Sequence, residues 1–107
     1  MKPQQVRKFA LALPAAHEEP HFDFASFRVK GKIFATLPPS GEYVHIFVDD
    51  ERREAALAMY PEFIEKLFWG KKICGIRVRL AQATPSVVQS LLTSAWRRKA
   101  PKGSIPR

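Results

Sequence analysis

The stretch Trp69-Gly70-Lys71-Lys72-Ile73-Cys74-Gly75-Ile76-Arg77-Val78-Arg79-Leu80 decides how this chain is read. Ile76, Val78 and Leu80 alternate with Arg77 and Arg79, the period of a strand with one buried face, so both arginines leave the sheet on the same side. The charge also changes character here. Residues 1–65 hold 8 Lys and Arg against 10 Asp and Glu, whereas residues 66–107 hold 10 Lys and Arg and no acid. The net charge of +8 therefore comes from the C-terminal part, and the isoelectric point lies near 10.1. That balance attracts polyanions: nucleic acid, an acidic protein or an anionic membrane surface.

Toward the C-terminus, Thr84-Pro85 reads as an N-cap followed by proline at the first helical position. Val88, Leu91, Leu92, Ala95 and Trp96 then form the apolar stripe of a helix running through Lys99. Residues 102–107 are expected to fray as a flexible tail. Toward the N-terminus, Phe63, Ile64, Leu67, Phe68 and Trp69 are expected to form a short helical turn or an extended connector. Asp49-Asp50-Glu51 supplies a capping carboxylate and first-turn acids for a helix ending at Tyr60-Pro61, with Ala55, Ala56, Met59 and Tyr60 as its apolar face. The near-continuous apolar run from Tyr43 to Val48 predicts a central strand. Phe27, Val29, Ile33, Ala35 and Leu37 alternate around Lys30-Gly31-Lys32, the pattern of a β-hairpin, with Arg28, Lys30 and Lys32 facing outward. Residues 15–25 are expected as a loop. Val6, Phe9, Ala10 and Leu13 mark a first helix, begun at Pro3 and stopped at Pro14.

The order α-β-β-β-α-β-α predicts one α+β domain over residues 1–107, an antiparallel sheet with helices packed on one face. With 46% apolar residues and eight Phe among 107 residues, the chain can bury about two thirds of its unfolded surface in one core. A single cysteine cannot form an intramolecular disulfide. With no apolar run long enough to span a bilayer and no signal segment, a soluble cytoplasmic protein is expected.

Four stretches carry a family resemblance: Leu11-Ala12-Leu13-Pro14, Phe27 to Leu37, Trp69-Gly70 with Arg77-Val78, and Ala95-Trp96-Arg97-Arg98-Lys99-Ala100-Pro101. Their order and spacing resemble the MmcQ/YjbR-like family of small bacterial proteins over roughly residues 5–101. The resemblance implies a frataxin-like α+β fold and a DNA-binding role, and it supplies no catalytic set. Arg28, Trp69, Gly70, Arg77, Trp96 and Arg97 match recurrent positions of the family. The chain departs from it at Ala15, where glycine often follows Leu-Pro, and at Cys74-Gly75-Ile76, which replaces a more polar approach to the strand.

A phosphate-binding surface is the reading these residues favour. Arg28, Lys30, Lys71, Lys72, Arg77 and Arg79 are expected to carry the contacts, extended by Arg97, Arg98 and Lys99. Neutralising about three to five phosphates gives a log–log salt slope of roughly −2 to −5 with little sequence preference. The bland alternative is a solvated face, and for Arg97-Arg98-Lys99 a set of cations favoured by the helix C-terminus. Trp96 sits on an apolar stripe and is expected in the core, whereas Trp69 is the candidate for base stacking, with His21 beside a small pocket.

His17 and His21, with Glu18, Glu19 and Asp23, form the only metal-like cluster, but Pro20 interrupts a helical chelate spacing. Frataxin-like iron handling relies on an acidic face, so no metal and no cofactor are expected. Cys74 beside Lys72 lacks an orienting base, and an inert thiol is expected. The composite reading is a non-enzymatic protein, monomer or weak homodimer, that binds nucleic acid, DNA first, without much sequence selectivity. The rival reading is an interaction module whose basic face meets an acidic protein or the acidic loop of a second copy. A third is a small-molecule site around Phe22, Phe24, Trp69 and His21.

Overall fold

Proline at the first helical position, one apolar stripe and a second proline past the end give the first helix, α1 (Pro3–Ala12), which buries Val6 and Ala10. The computed structural model describes residues 1–101, and the tail expected over 102–107 lies outside them. The chain continues through β1 (Ala16–His21), β2 (Phe24–Val29), β3 (Lys32–Leu37), β4 (Tyr43–Ile46), α2 (Asp50–Met59), β5 (Ile64–Trp69), β6 (Lys72–Arg79) and α3 (Pro85–Lys99). All six strands join one antiparallel sheet in the order β1-β2-β3-β4-β6-β5. The seven expected elements occur in their expected order, and the fold is α+β with the helices on one face of the sheet.

Two edge strands frame those seven elements. Residues 15–25, expected as a loop, contain β1, and the connector expected over 63–69 is β5. Neither shows the alternation of a half-buried strand: five of six β1 residues are exposed, and Ile64 alone is buried in β5. Pro20 fits such an edge, where a strand residue has a side free of ladder hydrogen bonds. A tight turn closes β1 on β2, with Phe22 at φ 59°.

The β2–β3 hairpin turns through Lys30 (φ 51°) and Gly31 (φ 79°), the left-handed pair that a two-residue connection needs. A bulge between Phe27 and Arg28 then shifts the register, pairing Phe27 with Ala35 but Arg28 with Ile33. This overturns the simple alternation expected for β3. Phe34 is fully buried, Ile33 is only half-buried beside Arg28, and Lys32 pairs with the buried Val29 instead of sharing a face with Arg28.

Helix α2 starts as expected, with the Asp49 carboxylate accepting the Arg52 N–H at 2.7 Å. Its apolar face is narrower than expected. Ala56 is buried and Leu57 and Tyr60 pack against the core, but Met59 is 65% exposed. Thr84 takes the N-cap position of α3, yet its hydroxyl makes no capping hydrogen bond. Helix α3 lies across β2, β3 and β4 and buries Val88, Leu91, Leu92, Ala95 and Trp96. The Trp96 indole N–H donates to the Pro14 carbonyl at 2.8 Å, tying α3 to the end of α1.

Val44, Ile46, Ile76 and Val78 pair across β4 and β6 and point under the helices. Their neighbours Tyr43, His45, Arg77 and Arg79 occupy the opposite face of the sheet. Among the described residues that face carries no helix.

Candidate nucleic-acid interface

Strand pairing gathers three chain segments at one end of the sheet. Ala35 of β3 pairs with Ile46 of β4, Phe47 N–H donates to the Phe34 carbonyl, and Ile46 pairs with Ile76 of β6. The start of β3, the end of β4 and the start of β6 therefore lie together, each carrying its turn with it. Helix α3 reaches the same end: Arg98 Nη1 donates to the carbonyls of Phe47 (3.2 Å) and Val48 (3.1 Å). Lys30 and Lys32, Lys71 and Lys72, and Arg98 and Lys99 meet here.

Lys99, Arg98 and Lys32 lie close enough for their charges to act on one another. Burial, then the Arg98 and Lys32 charges, lower the Lys99 ammonium from its ordinary value. Among the described residues the strong bases that pair with carboxylates are all arginines, and no lysine takes part in an ion pair. An anion placed at this end would relieve repulsion rather than compete with carboxylates.

The arginines on the open face are differently placed. Arg28 Nε donates to the buried Ser26 hydroxyl at 3.0 Å, which in turn donates to the Glu19 carbonyl, and the Glu19 carboxylate lies 3.9 Å from the guanidinium. Arg77 stacks 3.8 Å above the Tyr43 ring with Glu65 at 3.9 Å, and its Nε is shielded from solvent without a hydrogen bond. Arg79 is exposed, 5.0 Å from the same ring. Arg97 points elsewhere, toward a surface hollow it shares with Asp49 and Arg52 between α2 and α3. Of the nine basic residues singled out from the sequence, Lys30, Lys71, Lys72, Arg98 and Lys99 lie at one end of the sheet, Arg28, Arg77 and Arg79 lie on the open face beside acids or Tyr43, and Arg97 stands apart.

Trp69 is 84% exposed and Phe68 55% exposed, beside the Lys71-Lys72 turn, while Trp96 is 2% exposed. The two tryptophans occupy the contrasting places that their sequence contexts indicate. A groove of about 700 Å³ leads from Trp69 across the helix-free face. Phe24, Thr36, His45 and Leu67 line it, His21 marks its far end, and Arg98 and Lys99 border it. Phe22, expected with this group, stands 92% exposed outside the groove and edge-on to His21 at 4.9 Å. His45 sits 5.9 Å from the Phe24 ring, and burial, with the Arg77 charge second, lowers its pKa below 6.5. The groove imidazole is therefore neutral at pH 7.

Cys74 also lines the groove, and burial pushes its thiol up, away from thiolate chemistry. Gly75 next to it serves close strand approach: a Cβ there would stand 2.6 Å from the Ile46 carbonyl oxygen. The His17–Glu19–His21 row lies along one face of β1, where His17 and Glu19 bond to each other at 2.7 Å. Among the described residues no group of three or more His, Cys, Asp or Glu is arranged to hold a metal. The groove members His45, Thr36, Phe47 and Phe68 were not singled out from sequence. A polar His45 inside an apolar strand was the available signal for the first, and the edge character of β5 hid the last.

Comparison with known proteins agrees with this architecture. A family model described as YjbR matches residues 11–98. The crystal structure of Deinococcus radiodurans protein DR2400, with a DUF419 domain, is similar over 99% of this chain and 96% of its own, at a TM-score of 0.75 and 18% identity. At that identity the likeness concerns the fold. None of the curated proteins matches the chain.

Proposed function

The chain belongs to the YjbR family, and on that footing we propose that it is a non-enzymatic, cytoplasmic protein that binds nucleic acid, DNA first, through its basic end with little sequence selectivity. One observation supports the reading above others: two hairpin turns and the last turn of α3 share one end of the sheet, their lysines have no ion-pair partner among the described residues, and an exposed tryptophan stands beside them. A phosphate backbone matches that arrangement because it offers evenly spaced charge to flexible ammonium groups, releases counterions and asks for no base-specific geometry. Lys30, Lys32, Lys71, Lys72 and Lys99 are the contact residues. Arg98 is partly committed to the β4 carbonyls, and Arg28 and Arg77 hold the sheet face in order. No helix of the described residues is long and apolar enough to cross a membrane.

The rival reading, association through the acidic N-terminal segment of a second copy, has less support. Glu18 binds Arg7 at 2.9 Å and Glu19 binds His17 within the chain, so those carboxylates are already used.

The test is fluorescence anisotropy with labelled single- and double-stranded DNA and RNA across a salt series. The expected result is a linear fall of log affinity with log salt, with a slope of about −3 to −4. Lys71→Glu with Lys72→Glu should reduce the slope by about 2, and Arg79→Glu should have the smaller effect. Absence of binding at low salt would overturn the proposal and turn the search to acidic proteins.

A further inference from the structure

The helix-free face has a division of labour that a simple basic patch does not need. Its floor is aromatic and electrically quiet. Phe24 and the neutral His45 lie side by side, Trp69 and Phe68 stand at the border, Arg28 lies near Glu19 and Arg77 near Glu65, and Arg79 is exposed beside the Tyr43 ring. Its rim is the opposite: Arg98 and Lys99 border the groove, burial and then the Arg98 and Lys32 charges lower the Lys99 ammonium, and the exposed Lys71 and Lys72 follow Trp69 at the β5–β6 turn. The groove between crosses the sheet from His21 of β1 to Trp69 of β5. A ligand matching this arrangement has flat apolar faces for the floor and closely linked anionic groups for the rim.

We propose that the groove on the open sheet face, with Trp69, Phe24 and His45, receives unpaired bases, making the protein a binder of single-stranded nucleic acid in preference to duplex. This inference rests on the nucleic-acid reading above and narrows its substrate class. In a duplex the base faces are stacked on one another and only sugar and phosphate meet an approaching surface, so an aromatic floor gains nothing from it. In a single strand the bases turn outward and each offers a π-face, which aromatic side chains on an open sheet hold without reading sequence. About two or three bases are accommodated on a sheet platform of this kind. The neutral imidazole of His45 suits this role, since a charged ring would leave a cation with no carboxylate partner in the groove. The high exposure of Trp69 among the described residues leaves its ring room to close over a base.

The experiment compares a labelled oligothymidylate of about a dozen nucleotides with a duplex of equal length, using the whole chain and three variants. The parent should bind the single strand at least about tenfold more tightly. Trp69→Ala should weaken the single strand by about tenfold, leave the duplex affinity unchanged and keep the salt slope, with Trp69→Phe restoring most of the loss. Lys71→Glu with Lys72→Glu should instead weaken both ligands and flatten both slopes. Trp69 emission, separated from buried Trp96 by its exposure, should be quenched by the oligothymidylate alone. Equal affinity for duplex and single strand, or an unchanged single-strand affinity in Trp69→Ala, would overturn the groove assignment while the basic-end reading stands. Failure of both ligands to bind at low salt would overturn both.

Discussion

At the scale of single residues, His45 joins the fold to the proposed function. Its imidazole lies on the central strand β4, half-buried, with the Arg77 guanidinium nearby, and both burial and that charge favour the neutral ring. In the unfolded chain the same ring takes up a proton near 6.5. The stability attached to His45 is thus full above that value and is lost as pH falls from there through the lower folded value, because only the unfolded state gains the proton. Unfolding by urea between about pH 8 and pH 5 should show the parent losing stability on acidification and His45→Gln losing less of it. Equal losses in the two proteins would assign the acid sensitivity to other groups. In the sequence His45 stood only as a polar residue inside the near-continuous apolar run from Tyr43 to Val48, and the paired strands place it opposite the core. What could not be read there was its neighbour Phe24, which lies two strands away, beyond β3, and depends on sheet order.

At the scale of elements, the legible parts were those whose sequence carries a periodic burial signal. Helices α1 and α3, the β2–β3 hairpin with its glycine, and strands β4 and β6 all bury one face, and each could be read from its apolar spacing. Strands β1 and β5 escaped because they lie at the sheet edges, where pairing with a single neighbour stabilises a strand whose side chains remain in water. The bulge at Phe27/Arg28 escaped for another reason: it depends on two strands at once, and it moved Phe34 inward and Lys32 to the rim. Caps show the same limit. Asp49 and Thr84 look equivalent as N-cap residues, yet only Asp49 makes the side-chain bond. Asp49→Ala should therefore cost about 1 kcal/mol in urea unfolding and Thr84→Ala only a few tenths. Similar costs at the two positions would show that the Thr84 hydroxyl caps α3 in solution.

At the scale of the whole molecule, the net charge of +8 is distributed so that stability and binding should respond to salt with opposite signs. Among the described residues arginines make all the ion pairs of strong bases with carboxylates, while the lysines at the basic end have none, and burial with the Arg98 and Lys32 charges lowers the Lys99 ammonium. Exposed ion pairs contribute little each, about 0 to 1 kcal/mol, so their screening removes little. Repulsion within the lysine cluster and across a protein of this charge is the larger electrostatic quantity, and screening relieves it. Raising salt from about 0.01 M to 0.15 M, where the Debye length contracts from about 30 Å to 8 Å, should raise the melting temperature of the free protein. The same change should weaken the nucleic-acid complex, since the counterions released on binding become less favourable to release. At low salt an oligonucleotide should stabilise the protein by mass action, and that gain should shrink as salt rises until the two curves meet. A free protein that instead melts lower as salt rises would mean that its ion pairs outweigh its repulsion. The basic end would then be a balanced surface rather than a charge held ready for a polyanion.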